Sequence, residues 1–359
     1  MPRFTRREVF GATAGALAAK SAIAATPRNE TTKRGAMLLS EVFVPGDPKL
    51  AVARQVGVNH VILGANSLLS KVPRDRYLET LEKAKADFRA IDMDIVGVES
   101  HPVAAEKIKL GLDGRDEEIE NYQAAIVALG QAGIRMICYN FMAGLGWYRT
   151  RTDVPERGGA LTSEFDNAVA KQQGLTQWGE IPEEKIWANM EYFQKAVIPV
   201  AEKAGVYMAL HPDDPPLSPL RGIGRIVTSA ANYRRIMNIV PSRVNGVTFC
   251  QANFVLMGAD IYSLAAEWIR QNKIFFVHFR DVQGNKEKFR ETFHDNGPTD
   301  MVRMLQIYGQ SGIDMPIRPD HAPTIAGESN DHPGYAFGGK VFAFGFMAAA
   351  MKAKGVQYR

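Results

Sequence analysis

The sequence has few cysteines, no dinucleotide fingerprint and little net charge, and each of these shortages argues against a class of protein. Cys138 and Cys250 are its two cysteines among 359 residues, so a disulfide framework is excluded and at most one bridge can form. No G-x-G-x-x-G or phosphate-loop pattern is present to favour a nucleotide-binding open sheet. The formal net charge is only +4, which gives no electrostatic basis for binding nucleic acid. What remains is an ordinary globular composition, 46% hydrophobic and 23% charged.

The N-terminal segment, residues 1–24, resembles a twin-arginine export signal. Arg6 and Arg7 precede an apolar run rich in alanine and glycine, which is followed by Lys20 and an Ala-x-Ala sequence ending at Ala24. The run is too short and too rich in alanine to remain as a transmembrane helix. We therefore expect a periplasmic protein without a stable membrane anchor; the alternative is a cytoplasmic protein with a basic amphipathic start. Without this segment the net charge of residues 25–359 is +1.

Eight short apolar segments alternate with longer helix-like segments along residues 25–359. We predict strands over residues 37–43, 59–64, 93–99, 135–140, 206–210, 246–250, 274–279 and 315–318. The helical segments carry apolar residues at spacings of three and four, as in Tyr77, Leu78, Leu81, Ala84 and Phe88. Eight strand-helix repeats predict a single α/β domain, a closed (β/α)8 TIM barrel; an open, doubly wound sheet is the alternative.

One connection, residues 142–180, is much longer than the others and follows the fourth predicted strand. Its mixture of glycine, proline and charge has little sustained period, so we predict a long loop. Such a loop leaves from the C-terminal face of the barrel, where the active sites of this fold are built. Trp147, Arg149 and Arg151 are candidates to reach an anionic ligand from it; the alternative is solvated loop charge.

The last four predicted strands each end near a side chain that can bind a metal. His211 follows the fifth strand, Cys250 ends the sixth, His278 lies in the seventh and Asp320 follows the eighth. Because consecutive barrel strands bring their C-terminal ends to one quadrant, we expect these side chains to meet. Two imidazoles, a thiol and a carboxylate suit Fe(II), Mn(II), Zn(II) or Co(II). Each residue also has a structural alternative, as a buried apolar cysteine, a hydrogen-bonded core histidine or a helix cap.

Seven motifs between residue 118 and the C-terminus are specific in content and order: CYNFMAGLGWYRT, HPDDPP, FC at the end of the sixth predicted strand, VHFRDV, FHDNGPTDM, RPDH and PGY. They are similar to motifs of the mannonate dehydratases, barrel enzymes related to xylose isomerase. The resemblance implies dehydration of D-mannonate to 2-keto-3-deoxy-D-gluconate with Mn(II) or Fe(II). Carried over residue by residue, it gives the metal ligands as His211, Cys250, His278 and Asp320. It gives the acid/base pair as His321 and Tyr335.

Dehydration of a 2,3-dihydroxy acid requires removal of the C2 proton and expulsion of the 3-hydroxyl. A divalent metal would stabilise the negative charge that develops on the carboxylate and 2-hydroxyl oxygens. His321 or Tyr335 would take the proton, and the other would protonate the leaving hydroxide. Further candidate substrate contacts are Arg280, His294, Asp295, Trp147 and Arg149.

Two other functions remain open from the sequence. A metal-dependent sugar isomerase or epimerase on the same barrel would share the ligand geometry, although such enzymes supply carboxylates where this chain has Cys250. A non-catalytic, exported protein that binds a sugar acid is the second alternative. We expect a small sugar-acid substrate as the partner and no nucleic acid, and assembly into a homo-oligomer remains open.

Overall fold

The computed structural model describes residues 35–359. The predicted export signal, residues 1–24, lies outside the described residues. Within residues 35–359, no helix is both long enough and apolar enough to cross a membrane.

Strands and α-helices are numbered here in chain order through the described part of the chain. The strands are β1 (Met37–Phe43), β2 (His60–Leu63), β3 (Asp94–Glu99), β4 (Met136–Tyr139), β5 (Arg151–Pro155), β6 (Leu161–Asp166), β7 (Tyr207–Leu210), β8 (Asn245–Cys250), β9 (Ile274–Phe279), β10 (Val282–Asn285), β11 (Lys288–Glu291) and β12 (Met315–Pro319). The helices are α1 (Leu50–Gln55), α2 (Asn66–Leu69), α3 (Tyr77–Arg89), α4 (Glu106–Leu110), α5 (Arg115–Gln131), α6 (Asn167–Gln172), α7 (Glu183–Ala204), α8 (Ala230–Met237), α9 (Gln251–Leu256), α10 (Ile261–Arg270), α11 (Met301–Tyr308) and α12 (Phe337–Ala353). Short 3-10 helices cover Arg74–Arg76 and Arg157–Gly159.

Eight of these strands close into a parallel barrel in the order β1, β12, β9, β8, β7, β4, β3, β2. Every residue of β8 and β9 is buried, as expected for strands covered by helices on one face and by the barrel interior on the other. The predicted barrel is confirmed and the open sheet is excluded, because β1 pairs with both β2 and β12. All eight predicted strands are present, and their ends agree with the structure to within one residue.

The helices surround the barrel and bury one face against it. In α3 the buried side chains are Tyr77, Leu81, Ala84 and Phe88, whereas Leu78 is exposed. The spacing of three and four therefore marks the packing face correctly except at Leu78. These side chains belong to one large apolar core that runs from the barrel wall to α12.

Residues 142–180 correct the prediction of a long irregular loop, because they contain β5, β6 and α6. β6 pairs with β11, which follows β9, and the four strands β10, β11, β6 and β5 form an antiparallel sheet. Phe165 of β6 packs on Phe289 of β11 with 5.6 Å between the ring centroids. Because β6 and β11 are more than 100 residues apart in the sequence, no hairpin pattern predicts that they pair. We call these four strands the inserted sheet.

Candidate active site

Four side chains that could hold a metal ion meet at the C-terminal ends of β7, β8, β9 and β12: His211, Cys250, His278 and Asp320. All four are buried, and one ligand atom from each lies within 4.8 Å of the ligand atoms of the others. The rings of His211 and His278 have centroids 4.8 Å apart, and His278 Nδ1 lies 3.5 Å from Asp320 Oδ2. The structure thus brings together the four donors that the sequence places at successive strand ends.

Hydrogen bonds fix which nitrogen of each histidine faces this cluster. His211 Nδ1 lies 2.7 Å from the Pro212 carbonyl oxygen and donates to it, so Nε2 carries the free lone pair. His278 Nε2 lies 3.3 Å from the Glu99 carboxylate. Its Nδ1, facing Asp320, is buried and has no hydrogen-bond partner among residues 35–359. A ring nitrogen without a protein partner, with a carboxylate behind the opposite nitrogen, is the arrangement typical of a metal-binding histidine.

The charges around Cys250 favour its thiolate. Burial opposes ionisation of the thiol, but Arg280 and His211 outweigh burial and lower the pKa of Cys250 to about 5. Arg280 Nε lies 3.4 Å from Cys250 Sγ and 2.9 Å from Asp320 Oδ2. Cys138 and Cys250 are both free thiols, so no bridge withdraws the sulfur from the cluster.

This donor set fits a divalent transition metal. Thiolate and imidazole ligands favour cations softer than Mg(II) or Ca(II), and the Asp320 carboxylate adds negative charge. The unpartnered Nδ1 of His278 and the acidic thiol of Cys250 are the features that a cation would complete.

His321 and Tyr335, the expected acid/base pair, contact each other beside the cluster. His321 Nε2 lies 3.0 Å from Tyr335 Oη, and His321 Nδ1 lies 2.7 Å from Glu291 Oε1. Burial acts to raise the pKa of Glu291, but His321 and Arg149 outweigh it and lower this pKa to about 2. Glu291 is therefore an acceptor. His321 donates from Nδ1, and its Nε2 is left to accept the hydrogen bond of the tyrosine hydroxyl.

A buried group of four charged side chains lies behind His321: Arg149, Asp214, Arg280 and Glu291. Arg149 Nη1 lies 2.6 Å from Asp214 Oδ1, and its Nη2 lies 2.5 Å from Glu291 Oε1. Arg280 Nη1 lies 2.9 Å from the same Glu291 oxygen. Two guanidinium groups are thus already paired with two carboxylates. Arg149 and Arg280, two of the expected substrate contacts, do not line the cavity formed by residues 35–359.

The other three expected substrate contacts differ in position. Trp147 lines the cavity beside His321, with ring centroids 5.3 Å apart. His294 is fully buried, and burial lowers its pKa to about 4. Asp295 is paired with Arg157 at 2.9 Å. Of the three, Trp147 alone lines the cavity formed by residues 35–359.

The cavity beside the cluster has a volume of about 240 Å³. Its wall includes residues that sequence reasoning missed: Glu99, Ser100, Lys109, Asn140 and Arg318. Glu99 ends β3 and Asn140 follows β4, so their position at strand ends was a usable signal. Lys109 lies in α4, and its buried ammonium group lies 2.7 Å from the Glu106 carboxylate. In the sequence it cannot be told apart from an ordinary solvent-exposed lysine of a helix.

Comparison with known proteins identifies the family. The profile of the D-mannonate dehydratase (UxuA) family matches residues 43–178 and 167–357. The chain is 33% identical over 309 residues to the mannonate dehydratase of Streptococcus equi subsp. zooepidemicus, a match that covers 77% of this chain and 84% of that protein. The crystal structure of mannonate dehydratase from Streptococcus suis serotype 2 matches with a TM-score of 0.77 and 30% identity, over 90% of this chain and 96% of that one. A xylose isomerase domain protein from Planctomyces limnophilus, at 13% identity and a TM-score of 0.56, shares the fold.

The family match begins at residue 43, whereas the resemblance carried by the motifs begins near residue 118. β2 and β3 thus lie in the matched region although they carry none of the seven motifs, whereas β1 reaches it only at Phe43. With the profile covering most of the chain and a relative above 30% identity over 77% of it, the chain belongs to the D-mannonate dehydratase family.

Proposed function

We propose that the protein is a hydro-lyase that removes water from D-mannonate to give 2-keto-3-deoxy-D-gluconate. The observation that carries this proposal is a cavity lined by His211, His278 and Asp320 together with the His321–Tyr335 pair, with the Cys250 sulfur within 4.8 Å of the first three. Membership of the family, and relatives named mannonate dehydratase, support the choice of substrate.

We propose Mn(II) or Fe(II) as the cation, with His211, Cys250, His278 and Asp320 as its ligands. Bound there, it would stabilise the negative charge that develops on the carboxylate and 2-hydroxyl oxygens of the substrate. Glu99 holds the His278 ring in position through Nε2. The Arg280 guanidinium contacts Cys250 and Asp320, and its positive charge favours the ionised forms of both.

His321 and Tyr335 carry both proton transfers in this proposal. Because Nδ1 of His321 donates to Glu291, its Nε2 is the base that takes the C2 proton. The electron pair of the C2–H bond forms the C2–C3 double bond as the bond from C3 to its hydroxyl breaks, and Tyr335 protonates that hydroxyl, which leaves as water. The tyrosinate recovers a proton from His321, 3.0 Å away, and the enol rearranges to the 2-keto acid.

Incubation of the Mn(II)-loaded protein with D-mannonate tests this proposal, with the product identified by NMR. We expect 2-keto-3-deoxy-D-gluconate. A rearranged sugar acid would instead indicate an isomerase or epimerase, and binding without turnover would indicate a sugar-acid binding protein. Either of these results would refute the dehydration.

We also propose that residues 1–24 direct the protein to the periplasm by the twin-arginine route. The support is the pair Arg6 and Arg7 ahead of the apolar run and the Ala-x-Ala sequence. Cell fractionation should find the tagged full chain in the periplasm and the Arg6→Lys/Arg7→Lys variant in the cytoplasm. The same distribution for both proteins would contradict export by this route.

A further inference from the structure

A second cavity, which we call the far chamber, adjoins the active-site cavity. It has a volume of about 280 Å³, and its wall includes Glu41, Lys49, Phe337 and Lys340. Four residues line both cavities: Glu99, Ser100, Arg318 and Tyr335. The far chamber therefore continues the active-site cavity from β12 toward β1 and α12.

Glu41 brings a buried acceptor without a partner to the far chamber. Its Oε1 accepts hydrogen bonds from Lys340 Nζ at 2.8 Å and from the Val42 amide at 2.8 Å. Its Oε2 is buried and has no hydrogen-bond partner among residues 35–359, and the residue as a whole is 3% exposed. Buried carboxylate oxygens are usually hydrogen-bonded, so this atom is free to accept from a ligand hydroxyl.

Arg318 brings unpartnered donors to the same place. Its Nη2 donates to Asp320 Oδ1 at 2.6 Å, whereas its buried Nε and Nη1 have no hydrogen-bond partner in the described chain. The Nη1 atom lies 3.6 Å from Glu41 Oε1, which is an ion-pair distance but too long for a hydrogen bond. An unpartnered donor and an unpartnered acceptor thus lie close together where the two cavities meet.

Aromatic rings line the far chamber alongside these polar atoms. Phe43 and Phe337 pack edge to face with ring centroids 6.2 Å apart, and Lys340 Nζ lies 5.2 Å from the centre of the Tyr335 ring. A chain of carbon atoms that bear hydroxyl groups suits such a wall, because its C–H groups can pack on the rings while its hydroxyls bond to the unpartnered donors and acceptors.

The volumes leave room for one ligand that reaches from the active-site cavity into the far chamber. Sites for small molecules typically occupy roughly 300–1,000 Å³. The active-site cavity, at about 240 Å³, falls below that range, and the two cavities together fall within it. A six-carbon sugar acid with its reacting end at the metal-binding side chains would extend its tail past Arg318 and Tyr335.

We propose that the far chamber binds the hydroxyl-bearing tail of the substrate, C4 to C6, and that Glu41 and Lys340 select for the length of this tail. The inference rests on the proposed function, because it assumes that C1 to C3 lie beside His321 and the metal-binding side chains. Glu41 accepts from tail hydroxyls, and Lys340 holds the Glu41 carboxylate in place at 2.8 Å.

A series of shortened substrates tests the proposal. D-lyxonate matches D-mannonate at C2 to C4 but lacks C6, and L-erythronate keeps only the configuration at C2 and C3. The variant Glu41→Gln/Lys340→Met removes both charges together, so neither is left buried alone. We expect the variant to lose about tenfold in kcat/KM on D-mannonate and less than about twofold on L-erythronate, with D-lyxonate between them.

Two controls separate loss of selectivity from loss of structure. The variant Arg234→Met/Glu267→Gln removes an ion pair between α8 and α10, outside both cavities, and should leave all three values unchanged. The single variant Glu41→Gln keeps Lys340 and should reproduce the selective loss if the double variant unfolds early in thermal melting. Equal losses on all three acids, in variants that melt as the wild type does, would overturn the proposal.

Affinity measurements distinguish failure of this inference from failure of the proposed function. Calorimetry on the Mn(II)-loaded proteins gives the affinity for each acid whether or not turnover occurs. Weaker binding of D-mannonate, but not of L-erythronate, by Glu41→Gln would support the far chamber even in a protein that does not dehydrate. If the wild type dehydrates D-mannonate and Glu41→Gln loses equal affinity for D-mannonate and L-erythronate, the proposed role of the far chamber is refuted and the proposed function is not.

Discussion

The two sides of the barrel mouth differ in how the chain assembles them. On one side, β7, β8, β9 and β12 are neighbours in the barrel and successive barrel strands in the chain, and their ends carry the four proposed metal ligands. On the other side, Glu41 of β1 pairs with Lys340 of α12, from the opposite end of the described chain. The strand order of the barrel thus places the proposed metal ligands together, whereas the far chamber depends on contacts between residues that are distant in the sequence. We expect substitutions on the metal side to abolish the reaction and those on the far side to change its selectivity.

The largest effect is expected from loss of the thiolate. Cys250→Ser should lose bound metal and lower kcat by on the order of 1,000-fold, equivalent to about 4 kcal/mol of barrier. Metal analysis and steady-state kinetics measure both effects. Cys138→Ser is the matched control, because it removes the other thiol and should keep the metal. Full metal content in Cys250→Ser would contradict the assignment of this residue.

The next largest effect is expected at the acid/base pair. His321→Asn and Tyr335→Phe should each lower kcat by roughly 100-fold while the metal content stays that of the wild type. This combination separates proton transfer from metal binding, and both are measured on the same preparations. An unchanged kcat in either variant would remove that residue from the mechanism.

A smaller effect is expected at Glu99, which contacts the outer nitrogen of His278. Glu99→Gln should weaken metal binding by about 10- to 100-fold, because the amide no longer holds the ring as strongly as the carboxylate does. Competition with a chelator measures the affinity. Asp295→Asn, which breaks a surface-side ion pair with Arg157, is the control and should bind the metal normally. Equal affinity in Glu99→Gln and the wild type would contradict this role.

The smallest effect concerns stability in acid. The Glu291 pKa is lowered to about 2 in the folded chain, so the carboxylate stabilises the fold above its unfolded pKa. That contribution is lost as the pH falls through the folded value. We expect the free energy of unfolding to fall between pH 5 and pH 2, with on the order of 2 kcal/mol of the decline due to Glu291. Denaturant unfolding should show a shallower decline for Glu291→Gln, and parallel curves would contradict the account.

The barrel strands and the cluster of four candidate metal ligands could be predicted from the sequence. All eight barrel strands were predicted to within one residue, because parallel strands buried on both faces read as short apolar runs. Such runs place His211, Cys250, His278 and Asp320 within two residues of their ends, and the barrel rule then brings these side chains to one quadrant.

The parts that escaped prediction depend on contacts between distant segments. Arg149 looked like a candidate for binding an anion, because its partners Asp214 and Glu291 are remote in sequence. The pairing of β6 with β11, which joins the two hairpins of the inserted sheet, escaped for the same reason, since three barrel strands lie between them in the chain. Glu41 is a single carboxylate inside an apolar strand, and its importance becomes visible only beside Lys340.

The central claim is that four side chains from four strand ends hold one divalent cation. X-ray absorption spectroscopy at the manganese edge of the Mn(II)-loaded protein tests it most directly. The account predicts one sulfur neighbour together with nitrogen and oxygen neighbours, and loss of the sulfur signal in Cys250→Ser. A spectrum with oxygen and nitrogen neighbours alone in the wild type, or a sulfur signal that persists in Cys250→Ser, would contradict it.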